Sequence, residues 1–435
     1  MRQDRKTGNG LISAVALAWF FTALFYFYQY VLRSAPAVMM PELTEAYGLT
    51  AGGIASLVGI FYYGYAIFSL VSGVAVDQLG PRNVVPLAAA TVGFGALLFA
   101  SGAPVLGGAG QFLQGAGGVF SLTGAVYIIS KSFPVSRAAT MIGATQMFGM
   151  AGGAAGQFLV GPAIAAGLPW HQFWFTMALA GFVLTGVLLF YIPPNKKKAA
   201  RPANWAKDAA SALATVFMNR QSLLCGLIAA LLFFPTTIFD MVWGVRFLQE
   251  GHGVDYSLAV LRSASVPFGW IIGCPLLGAL SDRIGRRKPV IIAGAAVLLG
   301  SLALILFGPP DTFPPYSLGL LVGIASGAAM LPYTVIKEAN RPEHGGTATG
   351  VINFINFSLT ALLGPVLARV LMHVSAGGER QLVHYQAAFQ PLLYGVALAI
   401  LLTLFLRETG PGRAAASGGS PNTAAPADGR TATSP

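Results

Sequence analysis

Apolar runs of membrane-crossing length, separated by short polar or Gly/Pro-containing breaks, recur along this chain from residue 11 to residue 406. Residues 83–130 carry no charged side chain, and neither do residues 138–195. A helix needs about 20 apolar residues to cross a bilayer, so each stretch is long enough for two crossings. Ser101-Gly-Ala-Pro104 breaks the first and Gly167-Leu-Pro-Trp-His171 breaks the second. The pattern predicts twelve spans, at 11–36, 51–76, 83–102, 106–130, 138–166, 171–192, 222–246, 257–280, 289–308, 316–337, 347–373 and 388–406. The expected fold class is an all-α membrane protein of twelve transmembrane helices.

One signature occurs in each half of the pattern. Gly73-Val-Ala-Val-Asp77-Gln-Leu-Gly80-Pro-Arg82 follows the second span, and Gly278-Ala-Leu-Ser-Asp282-Arg-Ile-Gly285-Arg286-Arg287 follows the eighth. Tyr127-Ile-Ile-Ser-Lys131 and Tyr333-Thr-Val-Ile-Lys337 repeat at nearly the same offset. Such a repeat predicts two related six-helix bundles around a shared midplane site, a common plan for secondary transporters. The expected organisation is an N-terminal segment 1–10, a first bundle 11–192, a linker 193–221, a second bundle 222–407 and a disordered tail 408–435. Within the linker, 205–216 reads as a short interfacial helix.

Composition agrees: 55% of residues are hydrophobic and only 9% charged, against about a quarter charged in soluble domains. The net charge of +11 is a topology signal. Most Lys and Arg fall in the loops that share a side with both termini, which predicts that side to be cytoplasmic. These residues lie in scattered short loops, so nucleic acid is not an expected partner. Cys225 and Cys274 fall within spans and read as small packing residues. The first apolar run is long enough to span and lacks a small-residue cleavage site, so no cleavable signal peptide is expected. No metal-ligand cluster, catalytic triad or nucleotide loop is visible; no cofactor and no enzyme activity are expected.

Candidate chemistry lies in polar side chains inside the spans, where an ionisable group is costly and usually faces a cavity. Thr22, Tyr26, Gln29, Tyr30 and Arg33 form one stripe on the first helix. A guanidinium with phenols and an amide suits an anion; the competing reading is that Arg33 snorkels to headgroups. Further neutral candidates are Tyr62 and Tyr65 on the second helix, Gln146 on the fifth, Tyr333 on the tenth, and Asn353 and Asn356 on the eleventh. The Asn pair also fits simple bonding between helices. Asp240 is the one carboxylate well inside an apolar run, with Trp243 three residues on. Asp240 and Trp243 are candidates for the substrate site, and Asp240 also reads as a proton carrier, a cation ligand, or a packing partner of Arg246 or Arg262. Arg262 is a second anion ligand, a gate or a snorkelling residue. Gly149, Gly152, Gly153 and Gly156 predict close helix approach.

The paired G-x-x-x-D-x-x-G-x-R signature resembles the cytoplasmic loop motif of the major facilitator superfamily. That resemblance implies rocker-switch alternating access. It also implies a conformational latch of Asp77 and Arg82, with Asp282 and Arg286 as the second copy, around Gly73, Gly80, Gly278 and Gly285. Tyr28-Gln-Tyr-Val-Leu-Arg33, with Pro41 and Gly48 beyond it, is similar to the first helix of the organophosphate:phosphate antiporters and the anion:cation symporters. In both, an Arg at this spacing contacts the anionic substrate. Phe61-Tyr-Tyr-Gly-Tyr65-Ala also matches the symporters, and Gln146 lies where those for sugar acids place a substrate-binding Gln. The chain departs from them at Leu32, where they carry Asp, and at Gln111 and Gly118, where they carry an Arg and a proton-coupling Glu. The second Arg of the phosphate antiporters corresponds to about Thr237.

The sequence therefore predicts a secondary transporter of a small organic anion, of carboxylate or sugar-acid type. It is expected to be a monomer in the inner membrane, with uptake favoured and a proton or cation as coupling partner. Export of drugs or metabolites, with Asp240 as cation anchor, and transport of a polycarboxylate siderophore remain open. So does a non-transporting sensor on the same fold.

Overall fold

The computed structural model describes residues 2–194, 205–308, 314, 316–376 and 378–410. Among these residues there are helices and connecting turns but no strand. Twelve helices are long and apolar enough to cross a membrane. They are α1 Ala14–Val38, α2 Ser56–Leu79, α3 Pro81–Phe99, α4 Pro104–Ser132, α5 Val135–Ile164 and α6 Trp170–Tyr191 in the first half. The second half holds α7 Arg220–Gly244, α8 Leu258–Ile284, α9 Lys288–Phe307, α10 Ser317–Glu338, α11 Pro342–Val374 and α12 Leu382–Leu404. Between the halves lies a helix at Trp205–Met218. Helical structure at the N-terminus already begins at Arg2, earlier than the predicted span. The expected tail lies outside the described residues except for Glu408–Gly410, which pack on the bundle.

Besides the 3-10 turns that end α1 at Ala35–Val38 and begin α11 at Pro342–His344, three helices lose the α-helical form partway along. The α-helical part of α7 ends at Phe234, and a π-helix runs from Pro235 to Gly244. Pro235 has no N–H for the ladder, and bonding widens to i→i+5 after it. A 3-10 turn at Gly327–Met330 interrupts α10, and α5 breaks after Phe158.

Where helices of the two halves meet near the signature loops, they touch backbone to backbone. A Cβ on Gly143 of α5 would lie 2.1 Å from the Cys274 carbonyl of α8, and one on Gly73 of α2 would lie 2.6 Å from the Gly346 carbonyl of α11. Only glycine permits these crossings. The second glycine of each signature, Gly80 and Gly285, turns the chain at φ 78° and 70°, in the left-handed region that glycine enters freely.

Candidate functional site

The two signature aspartates bind helix N-termini of the opposite half. Asp77, at the end of α2, accepts from Gly346 N at 2.8 Å, and from Thr347 N and Thr347 Oγ1 at 2.7 Å each. Asp282, at the end of α8, accepts from Thr140 N at 2.8 Å and Thr140 Oγ1 at 2.7 Å. A carboxylate at a helix N-terminus satisfies orphan N–H groups and complements the helix dipole. The loop end of the bundle is therefore closed by two symmetry-related caps, reinforced by Lys131 Nζ, which donates to the Pro342 carbonyl at 2.8 Å.

The signature arginines differ from expectation. Arg82 stays within its own half and donates to the Ile192 carbonyl. Arg286 is 63% exposed and lies 3.7 Å from Glu408. The buried cation is its neighbour Arg287, which is fully enclosed and pairs with Asp282 at 2.6 Å and Glu338 at 2.8 Å. Its Nη2 also reaches the Val135 carbonyl of the first half, at 3.5 Å. Burial pushes Arg287 down, but the hydrogen bond and charge of Glu338, then those of Asp282, hold it above its ordinary value. Sequence spacing favoured Arg286. Arg287 lies immediately before α9, with Glu408 accepting from its backbone N–H and from that of Lys288. The two aspartates' partners, Thr140 and Thr347, also escaped sequence reading; their one signal is a Thr near the start of an apolar helix in each half.

Away from this seal, α1, α2, α5, α10 and α11 bring together polar groups around Arg33. The Arg33 guanidinium carbon lies 5.0 Å from the ring centres of Tyr30 and Tyr62, 5.5 Å from Phe357 and 5.7 Å from Phe61. Its Nη2 donates to the Tyr62 hydroxyl at 3.4 Å, while Nη1 is buried without a protein partner. Phe61 and Phe357 carry no polar signature and were not predicted as site residues. Tyr26 donates to Gln146 Oε1 at 2.9 Å, with the Tyr30 hydroxyl 3.4 Å away. Tyr333 donates to Asn353 Oδ1 at 2.8 Å. Tyr65 packs against Phe357 with ring centres 4.5 Å apart and planes tilted by 58°, and its hydroxyl is unpartnered.

Other atoms here are buried without protein partners: both amide atoms of Gln29, Gln146 Nε2, Asn353 Nδ2 and Asn356 Oδ1. Each such atom costs about 1–3 kcal/mol if nothing satisfies it, so the arrangement suits a polar guest or solvent. Among the described residues it brings together one cation with several amides and phenols, and no carboxylate. Gly118 lies beneath Gln29; a Cβ there would be 3.1 Å from Gln29 Oε1. The space a longer side chain would need at position 118 is taken by Gln29.

Three other candidates lie elsewhere. Asp240 is buried and accepts from Ser263 Oγ at 2.9 Å. It lines a cavity of about 110 Å³ among α7, α8, α9 and α10 rather than grouping with Arg33. Arg262 lines the same cavity but makes no ion pair with Asp240. Trp243 packs toward α12, 6.3 Å from Phe389 and beneath the guanidinium carbons of Arg246 and Arg380. The wide π-helical turns separate Asp240 from Trp243, which α-helical spacing had put on one face. Cys225 and Cys274 are buried free thiols. No group of His, Cys, Asp or Glu with metal-site geometry occurs among the described residues.

Twelve apolar helices, signature loops bonded to the opposite half, and a buried polar group between the halves are the architecture of a polytopic solute carrier. The family model described as Major Facilitator Superfamily matches residues 22–365, and the chain belongs to that family. It is similar to a probable sulfoacetate transporter of Cupriavidus necator, 22% identical over 84% of this chain and 88% of that one. It is also similar to a membrane sensor protein of Salmonella typhimurium, 23% identical over 90% and 91% of the two chains. Among solved structures, the Escherichia coli fucose:proton symporter has the same fold, with a TM-score of 0.66 and 15% identity over 90% of this chain and 99% of that one. The protein is a multi-pass integral protein of the inner membrane and a transporter by family, not an enzyme.

Proposed function

We propose that the protein carries a small organic anion, with Arg33 as the ligand of its charged group. The observation that carries this reading is the Arg33 guanidinium, boxed by four aromatic rings with Nη1 buried and unpartnered. A lone cation without a neighbouring carboxylate favours a single negative charge. The amides of Gln29, Gln146, Asn353 and Asn356, with Tyr65, suit hydroxyl or carbonyl groups on the rest of the substrate. The similarity to a probable sulfoacetate transporter supports an anion. In this reading the termini and signature loops are cytoplasmic, the caps of Asp77 and Asp282 hold the cytoplasmic side shut, and a monomer takes up its substrate from outside.

The test is ligand-induced thermal stabilisation of wild type and Arg33→Ala. The panel holds small carboxylates, sulfonates, sugar acids, organic phosphates, polycarboxylates and cationic dyes. An anion that stabilises wild type and loses its effect in Arg33→Ala supports the reading. Stabilisation by cations alone, unchanged in Arg33→Ala, refutes it.

A second reading is a sensor that binds the same anion without moving it, favoured by the similarity to a membrane sensor protein. Binding without exchange of labelled anion in proteoliposomes would select it.

A further inference from the structure

The cavity among α7, α8, α9 and α10 is separate from the group around Arg33, and its polar content is unusual. Asp240 is 8% exposed, and among the described residues its one side-chain hydrogen bond comes from Ser263. A carboxylate charge buried with a single hydroxyl partner lacks the counter-ion it needs; a carboxylic acid does not. A candidate counter-ion, Arg262, lines the same cavity with its Nε buried and unpartnered. The acid and the guanidinium thus share a small cavity without pairing.

We propose that this cavity is the coupling site of the transporter. Asp240 takes up a proton there, and Arg262 moves onto the Asp240 carboxylate when the proton leaves. The proton comes from solvent and returns to solvent, so the site alternates between a neutral acid beside an unpaired guanidinium and a closed ion pair. The inference rests on the transporter reading but not on the charge of the substrate.

Three observations fit such an exchange. The wall carrying Asp240 is the π-helical segment after Pro235, a departure from α-helix of a kind found frequently at functional sites. Gly244 lies against the pair: a Cβ there would be 3.0 Å from both Asp240 Oδ1 and Ser263 Oγ, so the contact is built around a missing side chain. Val266 and Val322, which line the cavity, also belong to the packed core that holds Tyr26, Tyr30 and Tyr333, so packed side chains connect the cavity wall to the group around Arg33.

The other titratable group facing the cavity is His252, from the segment after α7; α9 and α10 contribute only aliphatic side chains and glycine. A metal cation fits poorly. It would need several oxygen ligands, whereas one carboxylate and one hydroxyl are offered beside a guanidinium.

The test needs no substrate. Purified full-length protein carries a spin-label pair across α2 and α11 at the signature end, and the distance distribution is followed against pH. Infrared difference spectra of the same samples follow the protonated carboxylic acid. Wild type is expected to change its open-to-closed ratio at least threefold with pH, together with a carboxylic acid band. Asp240→Asn loses both changes, Asp240→Glu and His252→Gln retain both, and Arg33→Ala retains both while failing the anion test. Ser263→Ala moves the midpoint and provides the check should Asp240→Asn not fold. A pH response and band that persist in Asp240→Asn, a midpoint unmoved in Ser263→Ala, or loss of both in His252→Gln overturns the proposal.

Discussion

The adjacent residues Arg286 and Arg287 should respond very differently to the same substitution. Arg287→Ala leaves Asp282 and Glu338 without their cation, and their side chains are only 5% and 14% exposed. Removing one partner from a buried ion pair costs about 3–5 kcal/mol. Because Asp282 is also held by Thr140 of the other half, much of that cost falls on the state in which the halves meet at this end. If about 3 kcal/mol falls there, the closed-to-open ratio drops by more than 100-fold, at about 1.4 kcal/mol per factor of ten. Arg286→Ala removes a side chain that is 63% exposed and 3.7 Å from its partner; surface pairs contribute about 0–1 kcal/mol. The assay is distance measurement between labels on introduced cysteines on α5 and α8, with melting temperature recorded in parallel. The native Cys225 and Cys274 are buried, which favours selective labelling. Arg287→Ala should depopulate the closed distance and Arg286→Ala should not. Equal shifts in the two variants, or a larger shift in Arg286→Ala, would refute the reasoning.

Further outcomes follow from the same geometry. Arg33→Lys keeps the charge but loses the planar fork and its stacking on aromatic rings, so anion affinity should fall about tenfold in a binding titration, equivalent to about 1.4 kcal/mol. Gly143→Ala places a Cβ where the Cys274 carbonyl lies 2.1 Å away, so the closed distance between α5 and α8 should lengthen and its population fall. In an Asp240→Asn background, raising the pH from neutral to about 10 should leave the Arg287 latch intact, because Arg titrates above about 12. Arg287 is held above its ordinary value, so its contribution is complete at lower pH and is lost only on passing that higher value. The same distance measurement checks it.

The twelve spans were legible because a bilayer forces long apolar runs, and the repeated signature exposed the two halves. Gly73, Gly80, Gly278 and Gly285 were also legible, since backbone contact or positive φ leaves glycine as the suitable residue. What sequence could not supply was direction. Asp240 and Trp243 share a face only if α7 is regular, and Pro235 with the π-helix removes that regularity. Arg286 fits the linear motif, but the turn at Gly285 exposes it and buries Arg287. Phe61 and Phe357 were invisible because an aromatic residue in a membrane helix has no mark that separates a cavity wall from a lipid-facing side. Gln29 was legible as polar, but its place over Gly118 depends on α1 packing against α4.

The central claim is most directly tested by counterflow in proteoliposomes, using the panel anion that stabilises the purified protein. Wild type should exchange external labelled anion for internal unlabelled anion, and Arg33→Ala, reconstituted to the same density, should show at least a tenfold lower initial rate. Undiminished exchange in Arg33→Ala, or movement of cationic dyes but no anion, would contradict the account.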